Sequence, residues 1–161
     1  MRTSRVSANL TEKMAISIRR ATSSDRAACI GLLTAQLLEH NLGADRVGVA
    51  VGVDLALAPH SPGWLLLADL DGVAVGVMLA NQIVSVEKYG ASLWVEELYV
   101  VPAARRRGVA SALLDYIVAA GRRIGVRAVE LEVVHSQVGA FALYRKLGFR
   151  EVHRQRLTRD L

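Results

Sequence analysis

The sequence predicts an α/β domain: a mixed, mostly antiparallel sheet of six to seven strands with helices on both faces. Three observations carry that expectation. Two apolar runs, Trp64 to Ala68 and Val73 to Val86, flank Asp71-Gly72, a dipeptide suited to the positive φ angles of a tight hairpin. An apolar strand passes through Pro102 into a glycine-containing turn and then a helix. After that helix Val129, Leu131 and Val133 alternate with Glu130 and Glu132, and strand, helix, strand order implies a parallel pair with a right-handed crossover.

The elements follow in order. Residues 1–15, Ser- and Arg-rich, read as a disordered tail, and residues 16–161 as one domain. Ile16 and Ile18 alternate with polar neighbours as a first strand. Ser23 or Ser24 can cap a helix whose Ile30, Leu33, Leu37 and Leu38 form one face, and Gly43 breaks the pattern. Ala44 to Ala58 reads as a second helix, although Val47, Val49, Val51 and Val53 also alternate as a strand would. His60-Ser61-Pro62-Gly63 is a loop, and the long second strand of the hairpin invites a bulge near Asn81. After a turn at Lys88-Tyr89-Gly90 the fourth strand runs to Val100. Val109, Ala112, Leu113, Tyr116, Ile117 and Ala120 keep the spacing of an amphipathic helix that stops at Gly121. The fifth strand precedes a helix from about Val138 to Leu147, with Gly148 as its left-handed cap. Phe149 to Val152 and Arg154 to Thr158 close the sheet as strands.

Composition narrows the function classes. At 161 residues and 52% apolar, the chain suits a single core. No apolar window approaches about 18 residues, which excludes a membrane-spanning helix, and MRTSRVSANLTEKMA lacks the apolar core of a secretory signal, so a cytoplasmic protein is expected. The single Cys29 makes no intrachain disulfide, and its neighbours Ala27, Ala28 and Ile30 suit buried packing over a reactive thiol. The net charge of +5 and the basic stretch Arg150, His153, Arg154, Arg156 and Arg159 would suit a polyanion. Yet aromatic content of 5% supplies few stacking platforms and no nucleic-acid motif is readable, so nucleic acid is not the expected partner. No His/Cys cluster has metal spacing, and no metal is expected. The carboxy-terminal edge strand leaves a homodimer open.

The segment Val95 to Leu114 carries the most chemistry. Pro102 cannot continue a strand ladder, Gly108 admits φ values closed to other residues, and small Ala110 lets a ligand approach the backbone. The following helix aims its free N–H groups and positive dipole end at the same spot as Arg105, Arg106 and Arg107, so a pyrophosphate-sized anion is the expected ligand. The segment lacks the Lys-Ser/Thr of a P-loop and the Gly-x-Gly-x-x-Gly of a dinucleotide turn.

Arg105-Arg106-Arg107-Gly108-Val109-Ala110, followed by Gln137-Val138-Gly139-Ala140-Phe141-Ala142-Leu143-Tyr144-Arg145-Lys146-Leu147-Gly148-Phe149, resembles the two signature motifs of the GNAT-type N-acetyltransferases. Element order supports the resemblance from Ile16 to Asp160, and motif from Val95 to Phe149; Gln137 stands where the family usually has Asn. The resemblance implies acetyl-CoA as co-substrate and a splayed parallel strand pair that admits the pantetheine arm. It implies that backbone groups of Leu98, Tyr99 and Val100 bond that arm, that a side-chain hydrogen bond at Gln137 also meets the arm, and that amides from Arg106 through Gly108, Val109 and Ala110 to Ser111 hold the pyrophosphate. It further implies that Tyr144 protonates the departing thiolate, although periodicity alone favours a core aromatic beside Phe141 and Leu147.

Aminolysis of a thioester also needs a neutral amine and a place for its proton. Glu96 and Glu97 interrupt the apolar run Leu93 to Val101, and a buried carboxylate is costly without a partner, so one of them is expected at an acceptor cleft. Strand alternation puts them on opposite faces, with Glu96 favoured unless a bulge swaps them; Glu132 and His135 are weaker candidates. The expected acceptor is a small cationic amine, with a peptide amino terminus or lysine side chain, or a non-catalytic acyl-CoA sensor, as alternatives.

Overall fold

The computed structural model describes residues 15–160. Apart from Ala15, the tail expected over residues 1–15 lies outside them. Five strands form one sheet in sequence order: β1 (Ile16–Arg20), β2 (Gly63–Leu70), β3 (Val73–Ser85), β4 (Gly90–Val100) and β5 (Ala128–Leu131). The first four pair antiparallel, and β4 pairs with β5 in parallel. Helices α1 (Arg26–Glu39) and α2 (Arg46–Leu57) cover one face, over Leu65, Leu67, Val77 and Tyr99. Helix α3 (Val109–Ile124) covers the other, with α4 (Val138–Lys146) packed at the border of that core.

The hairpin about Asp71-Gly72 is present, with φ of 51° and 82° at the two turn residues, the conformation that the dipeptide tolerates. Thr22, one residue ahead of the expected caps, caps the 3₁₀ turn Ser23–Asp25 that feeds α1: its N–H donates to Asp25 Oδ2 at 2.8 Å. The inner face of α1 is Cys29, Ile30, Leu32, Leu33, Thr34 and Gln36, whereas Leu38 is 60% exposed. Cys29 is buried, which pushes its thiol up to about 11.

Ala44 to Ala58 is helical over Arg46–Leu57, because Asp45 accepts from the N–H groups of Val47 and Gly48 at 3.0 and 3.1 Å and so nucleates the first turn. The ambiguity in its pattern has a physical origin. Val53 faces the core while Val47, Val51 and Leu55 stay exposed, so the helix is apolar around its whole circumference and periodicity carries no signal.

Helix α3 continues past Gly121 to a left-handed Gly125. Gly121 is no terminator: a Cβ there would lie 2.9 Å from Val126 Cγ2 and 3.2 Å from Leu93 Cδ1, so it permits close approach of helix to sheet. Gly148 does cap α4, with φ of 87° and the Phe149 N–H donating to the Tyr144 carbonyl at 3.0 Å.

The expected carboxy-terminal strands do not form. Among the described residues none from Phe149 to Asp160 lies in a strand, and the sheet has five strands where six to seven were expected. Val152 and Leu157 would fall on opposite faces of any strand, leaving no continuous apolar face to bury. Ion pairs hold the segment instead: Arg154 to Glu87 at 2.7 Å, and Arg156 to Glu96 at 3.2 Å and to Glu132 at 3.0 Å.

Candidate active site

The site begins with a break in strand alternation. Leu79 pairs with Glu97 but Ala80 pairs with Val95, so Glu96 is the extra residue of a β-bulge in β4. Side-chain parity flips across it: Leu93 and Val95 before the bulge, and Leu98 and Val100 after it, all pack on the α3-side core. Glu96 and Glu97 occupy the step between. The expectation that they face oppositely is therefore corrected; the irregularity falls between Leu79 and Ala80, near Asn81 as expected, but its extra residue belongs to β4 and not to β3.

The two carboxylates meet different surroundings. Glu97 is half-buried and accepts from Gln36 Nε2 at 2.5 Å, reaching the end of a cavity of about 250 Å³ between α1, α2 and the sheet. Burial and the neighbouring Glu96 push its carboxyl above the usual carboxylate range, against the opposing pull of Gln36, His40 and Arg156. Glu96 is exposed; it accepts from Trp94 Nε1 at 2.8 Å and pairs with Arg156, whose guanidinium lies 5.9 Å from the Trp94 ring centroid.

Beyond the bulge β4 loses its neighbour. The parallel ladder runs from Ser92 with Ala128 to Val95 with Leu131 and ends there, while β4 continues to Val100. Because the Val101 N–H donates to the Val75 carbonyl at 2.9 Å, antiparallel alternation turns the backbone groups of Tyr99 toward β3 and those of Leu98 and Val100 toward the gap. This bare edge leads to a 3₁₀ turn, Pro102–Ala104, and then to a left-handed Arg106 (φ 62°) and a left-handed Gly108 (φ 88°) at the start of α3. Alternating backbone handedness turns successive N–H groups inward, and the first amides of α3, from Val109 through Ala110 and Ser111, have no carbonyl within the helix. The result is a concave set of donors at the end of an open strand edge, fitted to a long ligand that ends in phosphates.

Arg105 is engaged by the protein itself. Its Nε donates to the Val100 carbonyl at 2.8 Å, its Nη2 reaches both Glu39 oxygens at 2.8 and 2.6 Å, and its guanidinium lies 5.6 Å from the centre of the Tyr99 ring. It thereby ties the end of α1 to the turn. Sequence reasoning missed Gln36, Glu39 and His40, which α1 delivers to the gap; nothing in their spacing marks them. His40 Nε2 meets Gln137 Nε2 at 3.0 Å, so the amino end of α4 touches the carboxyl end of α1. Gln137 makes no capping bond to α4.

Tyr144 lies on the α4 face that packs against the α3-side core, edge-on to Phe149 with ring centroids 5.9 Å apart. Burial pushes its phenol above the ordinary tyrosine value, so it is neutral and a proton donor at neutral pH. Glu132 is exposed and paired with Arg156, and His135 is exposed. Among the described residues no group of acidic, His and Cys side chains is arranged to hold a metal, and no helix is long and apolar enough to cross a membrane.

The model of the acetyltransferase (GNAT) family matches residues 32–149. No curated protein matches the chain. Among solved structures, a possible acetyltransferase from Clostridium difficile 630 superposes with a TM-score of 0.79 at 21% identity, covering 91% of this chain and 97% of that one. The aminoglycoside N-acetyltransferase AAC(6')-Iy in complex with CoA gives 0.78 at 23% identity, covering 91% and 95%. A ribosomal-protein-alanine N-acetyltransferase from Brucella melitensis biovar Abortus 2308 gives 0.75 at 17% identity, covering 91% and 99%.

Proposed function

The chain belongs to the acetyltransferase (GNAT) family, and from that premise we propose that it transfers an acetyl group from acetyl-CoA to a small cationic primary amine by direct attack in a ternary complex. One observation carries the reading: the unpaired edge of β4 beyond Val95 runs straight to the donor-lined turn at Arg106 and Gly108.

The roles follow from position. The backbone groups of Leu98 and the N–H of Val100, whose carbonyl already accepts from Arg105, bond the pantetheine arm, and the amides from Arg106 to Ser111 take the pyrophosphate. Arg105 positions the turn through Glu39 and Val100, while Arg106 and Arg107 add positive charge beside it. Gln137 flanks the gap from the head of α4.

In the transfer, the ammonium first gives a proton to Glu97 or to a water it holds. The neutral nitrogen forms the C–N bond, the thioester C–S bond breaks, and Tyr144 protonates the departing thiolate. The amide nitrogen releases its second proton, Tyr144 recovers one, and the net products are amide, free thiol and one proton. Glu96, turned toward Arg156 and Trp94, adds negative charge beside Glu97.

Thiol release from acetyl-CoA against amines, amino acids and short peptides, with calorimetric acetyl-CoA binding in parallel, tests this reading. Amine-dependent release that falls in Tyr144→Phe is the expected result. Failure to bind acetyl-CoA overturns it.

A further inference from the structure

We infer that the acceptor carries a single ammonium on an apolar, branched or aromatic body, and that this body lies between α1, α2 and the sheet with its nitrogen at Glu97. The inference rests on the acetyl-transfer reading and narrows its acceptor.

The cavity of about 250 Å³ is walled by aliphatic side chains, among them Leu33 and Leu37 of α1, Val53 of α2, Leu65 of β2 and Leu79 of β3. Among the described residues Glu97 is the one charged residue on its wall. The cavity opens to solvent along α2, where Gly48 and Gly52 are exposed, and its volume suits an aromatic ring or branched alkyl group seated against the aliphatic wall.

Helix α2 contributes to the space by omission. Gly48 and Gly52, one turn apart, both line the cavity, and a Cβ built on Gly52 would meet no atom within 4 Å. Helix interiors disfavour glycine, and nothing packs close enough to the exposed Gly52 to exclude alanine, so a large side chain placed there would narrow the mouth of the cavity.

Charge then selects among amines. A polyamine placed here would bring a second ammonium against aliphatic walls that offer no second carboxylate among the described residues, and an aminoglycoside would set its hydroxyls against the same apolar surface. One ammonium is matched at the Glu97 end, where Gln36 Oε1 is also buried without a donor among the described residues. The burial that raises the Glu97 carboxyl also lowers the local dielectric, so an ammonium arriving beside it favours the ionised carboxylate and is held more strongly than it would be in water.

The test is steady-state thiol release at fixed acetyl-CoA with 2-phenylethylamine, isoamylamine, ethylamine, spermidine and kanamycin, in wild type and Gly52→Leu. The expected kcat/KM for the two bulky apolar amines exceeds that for ethylamine by about tenfold or more, and exceeds those for spermidine and kanamycin. In Gly52→Leu the ratio of 2-phenylethylamine to ethylamine falls by about tenfold, with a melting temperature at or above wild type. Preference for spermidine or kanamycin overturns the inference, as does an unchanged ratio in folded Gly52→Leu. Preference for hexanoyl-CoA over acetyl-CoA also overturns it, by assigning the cavity to the acyl chain. Acetyl-CoA binding without turnover of any amine rejects the acceptor class alone, whereas absence of acetyl-CoA binding rejects the transfer reading beneath it.

Discussion

Gln36 on α1 and Glu97 on β4 are joined by a 2.5 Å hydrogen bond from the Gln36 side-chain amide, made where the β4 bulge sets the carboxyl against the helix. The bond opposes two larger effects, burial and repulsion from Glu96, and the carboxyl stays above its ordinary range. A carboxyl raised in the folded chain binds its proton more tightly than in the unfolded chain. Its stabilising contribution is therefore complete below the ordinary carboxylate range and is lost as pH rises through the raised value. Glu97→Gln is expected to abolish that loss, so the melting temperature of the variant gains on wild type as pH rises from 4 to 8. The same variant is expected to lose amine acetylation; equal pH dependence of the two melting curves would refute the assignment.

Tyr144 is raised by burial alone, so it keeps its proton throughout the neutral and mildly basic range. Tyr144→Phe is expected to lower kcat by about 10²-fold or more while leaving acetyl-CoA affinity near wild type, because the hydroxyl acts on the leaving group. Calorimetry and single-turnover thiol release separate the two quantities. A parallel loss of affinity would assign Tyr144 to packing beside Phe149.

Gly108 holds φ of 88°, and a side chain in that region costs about 1–2 kcal/mol. Gly108→Ala is expected to weaken acetyl-CoA binding more than tenfold in calorimetry, since the turn must shift the very amides proposed to hold the pyrophosphate. Arg106 shares the left-handed region without being glycine. Arg106→Gly is expected to raise the melting temperature, by relief of about 1 kcal/mol, yet to weaken binding by removal of a cation. Tighter binding in either variant would refute the donor-turn assignment.

Gly121 sits where a Cβ would approach Val126 Cγ2 to 2.9 Å and Leu93 Cδ1 to 3.2 Å. Alanine is the better helix former by about 1 kcal/mol, but overpacking a core costs about 1–3 kcal/mol, so Gly121→Ala is expected to be neutral at best and to lower the melting temperature by several degrees at worst. Thermal denaturation checks the sign; a clear rise would mean that α3 moves off the sheet at little cost.

Local chemistry made much of the fold legible. Asp71-Gly72 marks its hairpin, because only a few residues accept both positive φ values, and Gly148 marks its cap for the same reason. The amphipathic faces of α1 and α3 follow from periodicity, as does the strand, helix, strand order of β4, α3 and β5. Gly121 misled as a stop signal because a glycine kept for helix-to-sheet contact looks, in one dimension, like one kept for a turn. The carboxy-terminal strands misled because propensity alone suggested them, while Arg154 and Arg156 found carboxylates on other elements.

The sequence by itself determined the backbone features that a residue type enforces locally: the left-handed turn at Gly108, the free amides at the head of α3, and the two motifs that identify the family. Only the tertiary structure decided which groups surround the gap. The bulge at Glu96 depends on register with β3, and the approach of Gln36, Glu39 and His40 depends on where α1 ends over the sheet. Both join residues distant in the chain, the contacts of α1 spanning 61, 66 and 97 positions, and neither hydrophobic periodicity nor turn chemistry encodes them in any one stretch of chain.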